Sequence, residues 1–446
     1  MQGKHKHEPQ LNMFKVQLKT LISEGHPLVV LSHRIDWEAI AKEFEQYYSK
    51  EGRPSVPTRT MVGLLMLKSM FSESDESLIP RWVENPYWQY FCGEQFFNHA
   101  PPCDPSDLVH FRKRIQKTGH EYILKVSASL HCEAMQEEQV VIDTTVQEKD
   151  ITFPTDAKLA IAILNECWRL AKKCNFKLHQ SYTRKTSEAK LKLRFTGSAA
   201  KKKEAKKAIK DVRKYARKVI MQLRNNLPAE VIELHKSRFE RYDKVLSQQR
   251  GDKQKIYSLH EPAVYCMSKG KKHKQYEFGC KVSIGVTANT GIIVSVTSFE
   301  TNVSDVHTLE QTLEQIKYIT GKAPAEAICD RGYRGKSKIN ETIITIPKPL
   351  PKNTTRHQIE KVKQKFRRRA AIEPVIGHLK YDHRMQRNFL KGLYGDFVNC
   401  VLAGAGFNLK KMLRQIASSL DSINRCIYSI IYTLLNFNHF LRKLAF

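Results

Sequence analysis

No two of the ten cysteines in this chain are spaced as C-x2-C, so spacing provides no zinc ribbon. At 446 residues the chain is also too long to depend on disulfide staples. Free thiols in a reducing cytosol are the expectation, with Cys329 a small core residue. A secretory leader is missing, and no apolar run approaches the roughly 20 residues that a membrane span requires. Even residues 427–446, apolar and aromatic, are interrupted by Asn, Ser and Lys. They read as a terminal helix packed on the body or on a second subunit. His5 and His7 stand in a polar N-terminal stretch that is better read as a tail than as a metal site. Acid is scarce: 45 Asp and Glu against 75 Lys and Arg give a formal charge of +30 and a pI near 9.7. That balance suits a polyanionic partner, because every phosphate neutralised releases counterions. Ribosomal or membrane-surface binding fits the same number. With 41% hydrophobic residues, the chain can build two or three cored domains.

Two short peptides stand out against this background. Residues 140–145 (Val-Val-Ile-Asp-Thr-Thr) and 327–335 (Ala-Ile-Cys-Asp-Arg-Gly-Tyr-Arg-Gly) each run from apolar, β-favouring residues onto an aspartate, Asp143 and Asp330. The pattern predicts a carboxylate at the exit of a buried strand. In isolation, such an aspartate is more often a turn-former. A third acid, Glu373, lies in a helical segment. At 100° per residue, Phe366, Arg369, Glu373 and Lys380 fall at about 0, 300, 340 and 320° and share one face. Three carboxylates on different elements can hold a pair of magnesium ions, the arrangement that in-line attack on a phosphodiester uses. Asp305 competes for the middle position, but its surroundings, rich in turn and cap residues, read as a helix cap or a support behind the acids.

In this order the acids resemble the insertion-sequence transposases with an RNase H-like DDE catalytic domain, specifically the insertion-sequence-five family. The likeness includes Asp143, Asp330 and Glu373, the Asp-Arg-Gly-Tyr-Arg-Gly turn at 330–335, and a Y-x2-R-x3-E-x6-K signature. In that signature Phe366 replaces the tyrosine ahead of Arg369, Glu373 and Lys380, keeping the ring and losing the hydroxyl. Residues 61–68, 84–93 and 107–112 look like the InsH-type N-terminal domain of the same enzymes, so the matching blocks span about 55–410. The resemblance implies that Asp143, Asp330 and Glu373 bind two Mg²⁺ ions, with Mn²⁺ able to substitute. It also implies that Arg369 and Lys380 contact the scissile or neighbouring phosphates. The activity implied is cutting DNA at the ends of a mobile element and joining those ends to a target. The partners implied are terminal inverted repeats and target DNA, met by a homodimer at the nucleoid in the cytoplasm, with no membrane involved.

The expected fold is α/β (α+β): a helical N-terminal domain over residues 1–130, an RNase H-like mixed sheet over 135–410 and a helical tail over 411–446. Strands are expected at 276–288 and 292–299. The sheet domain is interrupted at about 157–255 by a basic helical insertion that holds 28 Lys and Arg against 9 Asp and Glu, a net +19. Such a run is ordinarily a solvated helix face. Beside a phosphodiester-cutting centre, Lys201, Lys202 and Lys203 read as DNA contacts. Residues 58–71 read as a helix, followed by a cap at Ser74 or Asp75. The mixed basic and apolar residues 110–115 fit either a DNA-end-reading module or a helical cap whose aromatics, Trp82, Tyr87, Trp88 and Phe91, only pack a core. A nuclease of the same fold that cuts without joining, a non-catalytic DNA-binding relative and an RNA-binding protein explained by charge alone remain as alternatives.

Overall fold

The computed structural model describes residues 1–3, 15–194, 196–249, 251–268, 275–347 and 354–444; His5 and His7 fall outside them. The runs of Val and Ile form a single mixed sheet. Its strands are β1 (Gln139–Lys149), β2 (Tyr265–Ser268), β3 (Tyr276–Thr287), β4 (Ile293–Phe299), β5 (Glu326–Ile328), β6 (Lys338–Ile339), β7 (Thr342–Thr345) and β8 (Arg387–Asn388). β1, β3 and β4 pair antiparallel, while β5 and then β7 continue parallel to β1 on its other side. Three antiparallel strands followed by two parallel ones, with the first strand in the centre, is the RNase H-like order. Short pieces complete two edges: β2 pairs with β3 ahead of β4, and β8 pairs with β1 beyond β5.

Each face of the sheet is covered by a helix, as a sheet buried on both sides requires. Ser295 of β4 hydrogen-bonds Gln315 of the Asp305–Thr320 helix. The next residue, Val296, points the other way, toward Gly404 of the Gly392–Leu444 helix; a Cβ at Gly404 would lie 2.8 Å from Val296. Asn408 on that second helix takes the N–H and C=O of Ile293 at 3.0 and 2.9 Å, satisfying backbone on the edge strand. Within the expected tail at 411–446, the backbone as far as Leu444 continues a helix that starts at Gly392.

The N-terminal helices share one apolar cluster with the sheet. The Thr58–Phe71 helix is buried on nearly every side and meets the C-terminal helix so closely that a Cβ at Gly406 would stand 2.5 Å from the Ser69 carbonyl oxygen. Ser74 caps the next helix, Asp75–Glu84, in a capping box with Ser77. Residues 156–247 fold into helices of their own, chiefly Asp156–Lys173, Thr183–Arg194, Ala199–Asn226 and Lys236–Ser247. They close around a second cluster that includes Ile163, Val212, Leu223 and Phe239. Among the described residues no helix is long and apolar enough to cross a membrane.

Candidate active site

The parallel ladder between β1 and β5 aligns Gln139 with Glu326, Val140 with Ala327 and Val141 with Ile328. Two residues further along this register stand Asp143 and Asp330, so the pairing itself sets the two aspartates side by side. Asp143 does not end its strand, as the sequence pattern predicts; it is in mid-strand, opposite Ile284 of β3. The opening comes from its other neighbour. β5 stops at Ile328 and β8 begins only opposite Glu148, so among the described residues no strand pairs with that edge of β1 between them. Asp330 leaves the sheet and caps the 3-10 turn Arg331–Tyr333, its Oδ1 accepting the Gly332 N–H at 2.7 Å.

A third aspartate approaches from the Asp305–Thr320 helix. Asp305 is the first residue of that helix and not its cap, the N-cap position being held by Ser304. Its Oδ1 accepts from Thr144 Oγ1 at 2.8 Å and pairs with Lys281 Nζ at 3.0 Å. A Cβ at Gly332 would meet Asp305 Oδ2 at 2.8 Å and Asp330 Oδ1 at 2.9 Å, so this turn admits only glycine without moving a carboxylate. Burial is the main force holding the Asp143 carboxyl above its ordinary value; Asp330 and Asp305 add to it, while the Thr144 N–H and Arg369 oppose it. Thr144, Lys281, Asp305 and Gly332 form a supporting layer, of which sequence reasoning picked out only Asp305. Gly332, inside the Asp-Arg-Gly-Tyr peptide, was the available signal for the rest.

The basic residue at this centre is Arg369. Its Nη2 lies 3.5 Å from Asp143 Oδ2 and 3.9 Å from Asp330 Oδ2, while its buried Nε has no hydrogen-bond partner among the described residues. Arg369 and Glu373 do not share one continuous helix. One helix, Arg356–Ala370, ends at Ala371 and another, Ile372–Asp382, begins. Pro374 is the cause: it lacks the N–H that would bond the Ala370 carbonyl, and its ring crowds that oxygen. Glu373 is exposed in the first turn of the second helix, Lys380 is half-buried in its last turn, and Phe366 packs on the main core. Among the described residues, no three Asp, Glu, His or Cys side chains converge on one point that could hold an ion. Asp143 and Asp330 do converge, around the Arg369 guanidinium, and two hard carboxylates, one on β1 and one just beyond β5, fit a divalent metal in donor chemistry.

The basic helices present a different surface. Lys201, Lys202, Lys203, Lys206 and Lys207 are all exposed on the Ala199–Asn226 helix, whose other face buries Ala205, Ala208, Val212 and Ala216. In the N-terminal region Arg112 is buried and makes a two-pronged contact with Asp75 at 2.8 and 2.6 Å, with Lys68 on the same carboxylate. Trp82, Trp88 and Phe91 are buried in the core and Tyr87 packs against it. These residues are occupied with packing. A cavity of about 780 Å³ lies at the far end of β1 around Lys149, Phe153 and Tyr276.

Comparison with known proteins places the chain among transposases. Residues 16–114 match the family model Transposase domain (DUF772), and residues 243–403, which include Asp330 and Glu373 but not Asp143, match Transposase DDE domain. A Rhizobium meliloti relative, an uncharacterized protein from ORF8 in the nfe locus, is 42% identical over 188 residues, 41% of this chain and 91% of the relative. The piggyBac transposase in a synaptic complex with hairpin DNA aligns with 91% of this chain and 82% of its own at 9% identity. Its TM-score of 0.28 is too low to carry an argument.

Proposed function

Because this chain belongs to the insertion-sequence DDE transposases, we propose that it cuts DNA at the terminal inverted repeats of its element and joins the freed ends to target DNA. The observation that carries the reading is the β1–β5 register, which brings Asp143 and Asp330 together at the open edge of the sheet. Asp143, Asp330 and Glu373 would hold two Mg²⁺ ions, with Mn²⁺ able to substitute; such ions supply Lewis-acid stabilisation and an activated water or 3′-hydroxyl. Lys281 and Thr144 fix Asp305 beside the pair. Glu373, exposed in the first turn of the helix after the Ala371 break, would complete the acid set. Arg369 and Lys380 supply positive charge for phosphates, Arg369 as a planar fork and Lys380 as a point charge. The exposed lysines of the Ala199–Asn226 helix track the DNA backbone beyond the cut, and the protein acts as a homodimer on DNA at the nucleoid.

Replacing each acid by its amide tests this most directly. Asp143→Asn, Asp330→Asn and Glu373→Gln remove a charged metal ligand and keep the volume. Each should lower cleavage of a labelled element end by at least about a thousandfold (~4 kcal/mol) while end binding in gel-shift titrations stays nearly unchanged. Strong Mg²⁺-dependent cleavage by any one variant removes that residue from the centre.

A further inference from the structure

We propose that Arg369 acts in the metal-free protein as an internal cation, standing between Asp143 and Asp330 where a divalent ion would bind and withdrawing when the ion arrives. The proposal rests on reading those aspartates as the metal-binding pair. Three observations support it. One guanidinium nitrogen serves both carboxylates, at 3.5 and 3.9 Å, longer than the ~2.7–2.9 Å of a well-formed charge-assisted bond. The buried Nε donates to no group among the described residues, so the arginine neutralises the pair without being fully satisfied there. Finally, the helix that carries it is weakly held. Among the described residues of the Arg356–Ala370 helix no side chain is fully buried, whereas the next helix is anchored by buried Ile372, Val375 and Leu379.

The break at Ala371 lets the first helix shift without dragging the second. Another polar tie of that helix to the sheet is the Lys365–Glu326 ion pair. A dication and a guanidinium cannot occupy the same few ångströms between two acids, because their repulsion is strong where water is partly excluded. Binding of the ion therefore expels Arg369, and the expelled fork becomes available to a DNA phosphate. Ion binding and phosphate capture are thereby coupled through one side chain.

Mn²⁺ binding to the full-length protein without DNA, followed by the electron paramagnetic resonance of free Mn²⁺, tests this apart from turnover. R369Q should bind Mn²⁺ about tenfold more tightly than the wild type, a change of ~1.4 kcal/mol, and R369K should stay within about threefold of it, because the ammonium still competes. Unchanged or weaker binding by R369Q overturns the proposal. Asp143→Asn and Asp330→Asn should lose the binding; if both bind as the wild type does, the reading of the aspartates fails and this inference with it. Should R369Q fail to fold, hydrogen exchange of the wild type decides. Amides of residues 356–370 should exchange faster once Mn²⁺ is added, and slower or unchanged exchange contradicts displacement.

Discussion

Asp143 is where stability and function pull against each other. Burial, helped by Asp330 and Asp305, raises its carboxyl above the ordinary 3.8, so the folded protein takes up this proton more readily than the unfolded chain. The stabilisation that follows is complete below pH 3.8 and lost as pH rises through the folded value. At neutral pH the ionised, metal-free site is therefore a weak point. Asp143→Asn should melt higher than the wild type at pH 7 without metal, by roughly 1–3 °C, with the gain shrinking as pH falls toward 4. An equal or lower melting temperature at pH 7 would show that Arg369 fully compensates the charge. Gly332 makes the opposite kind of prediction. In Gly332→Ala the new Cβ presses on Asp305 and Asp330, whose ends can move, so folding survives but the pair is displaced. Cleavage should fall by about 10² with unchanged end affinity in the same gel-shift assay, and full activity would mean that the turn relaxes without moving Asp330.

At the scale of elements, the chain was legible where local pattern is strong. The Tyr276–Thr287 and Ile293–Phe299 strands and the Thr58–Phe71 helix lie within a residue or so of where composition puts them, because β-branched and apolar residues dominate those runs. The cap was readable as Ser74 or Asp75, and Ser74 takes the position, its hydroxyl accepting the Ser77 N–H. The register was not readable: parallel pairing of Val141 with Ile328 leaves no trace in either peptide alone. β6 and β8, of two residues each, exist only through their neighbours. The break at Ala371 was visible in Pro374 but was masked by the regular spacing of Phe366, Arg369, Glu373 and Lys380. Residues 110–115 stayed undecided because a basic residue such as Arg112 looks the same in sequence whether it faces DNA or Asp75. The insertion helix gives the element-scale prediction. Replacing Lys201, Lys202, Lys203, Lys206 and Lys207 by Gln should weaken binding to all DNA sequences. The salt slope should become shallower by up to ~0.9 for each phosphate that is no longer neutralised. These side chains are exposed, so the fold should tolerate the change, and an unaltered slope would return the helix to a solvated face.

Across the molecule, two apolar clusters among the described residues divide the labour. One ties the N-terminal helices, the sheet and the C-terminal helix into the body that sets the β1–β5 register. The other lets the 156–247 helices carry dense positive charge without disturbing that register. A charge of +30 explains attraction to DNA but not what is done to it, and the acids at the open edge of β1 must supply that. The most direct test uses an end fragment already cut to a 3′-hydroxyl, a supercoiled target plasmid and Mg²⁺, comparing the wild type with Asp143→Asn. The wild type should join the end covalently to the plasmid and Asp143→Asn should not, although both bind the end. Nicking without joining by the wild type, or joining by Asp143→Asn, would contradict a strand-transfer centre built on this aspartate.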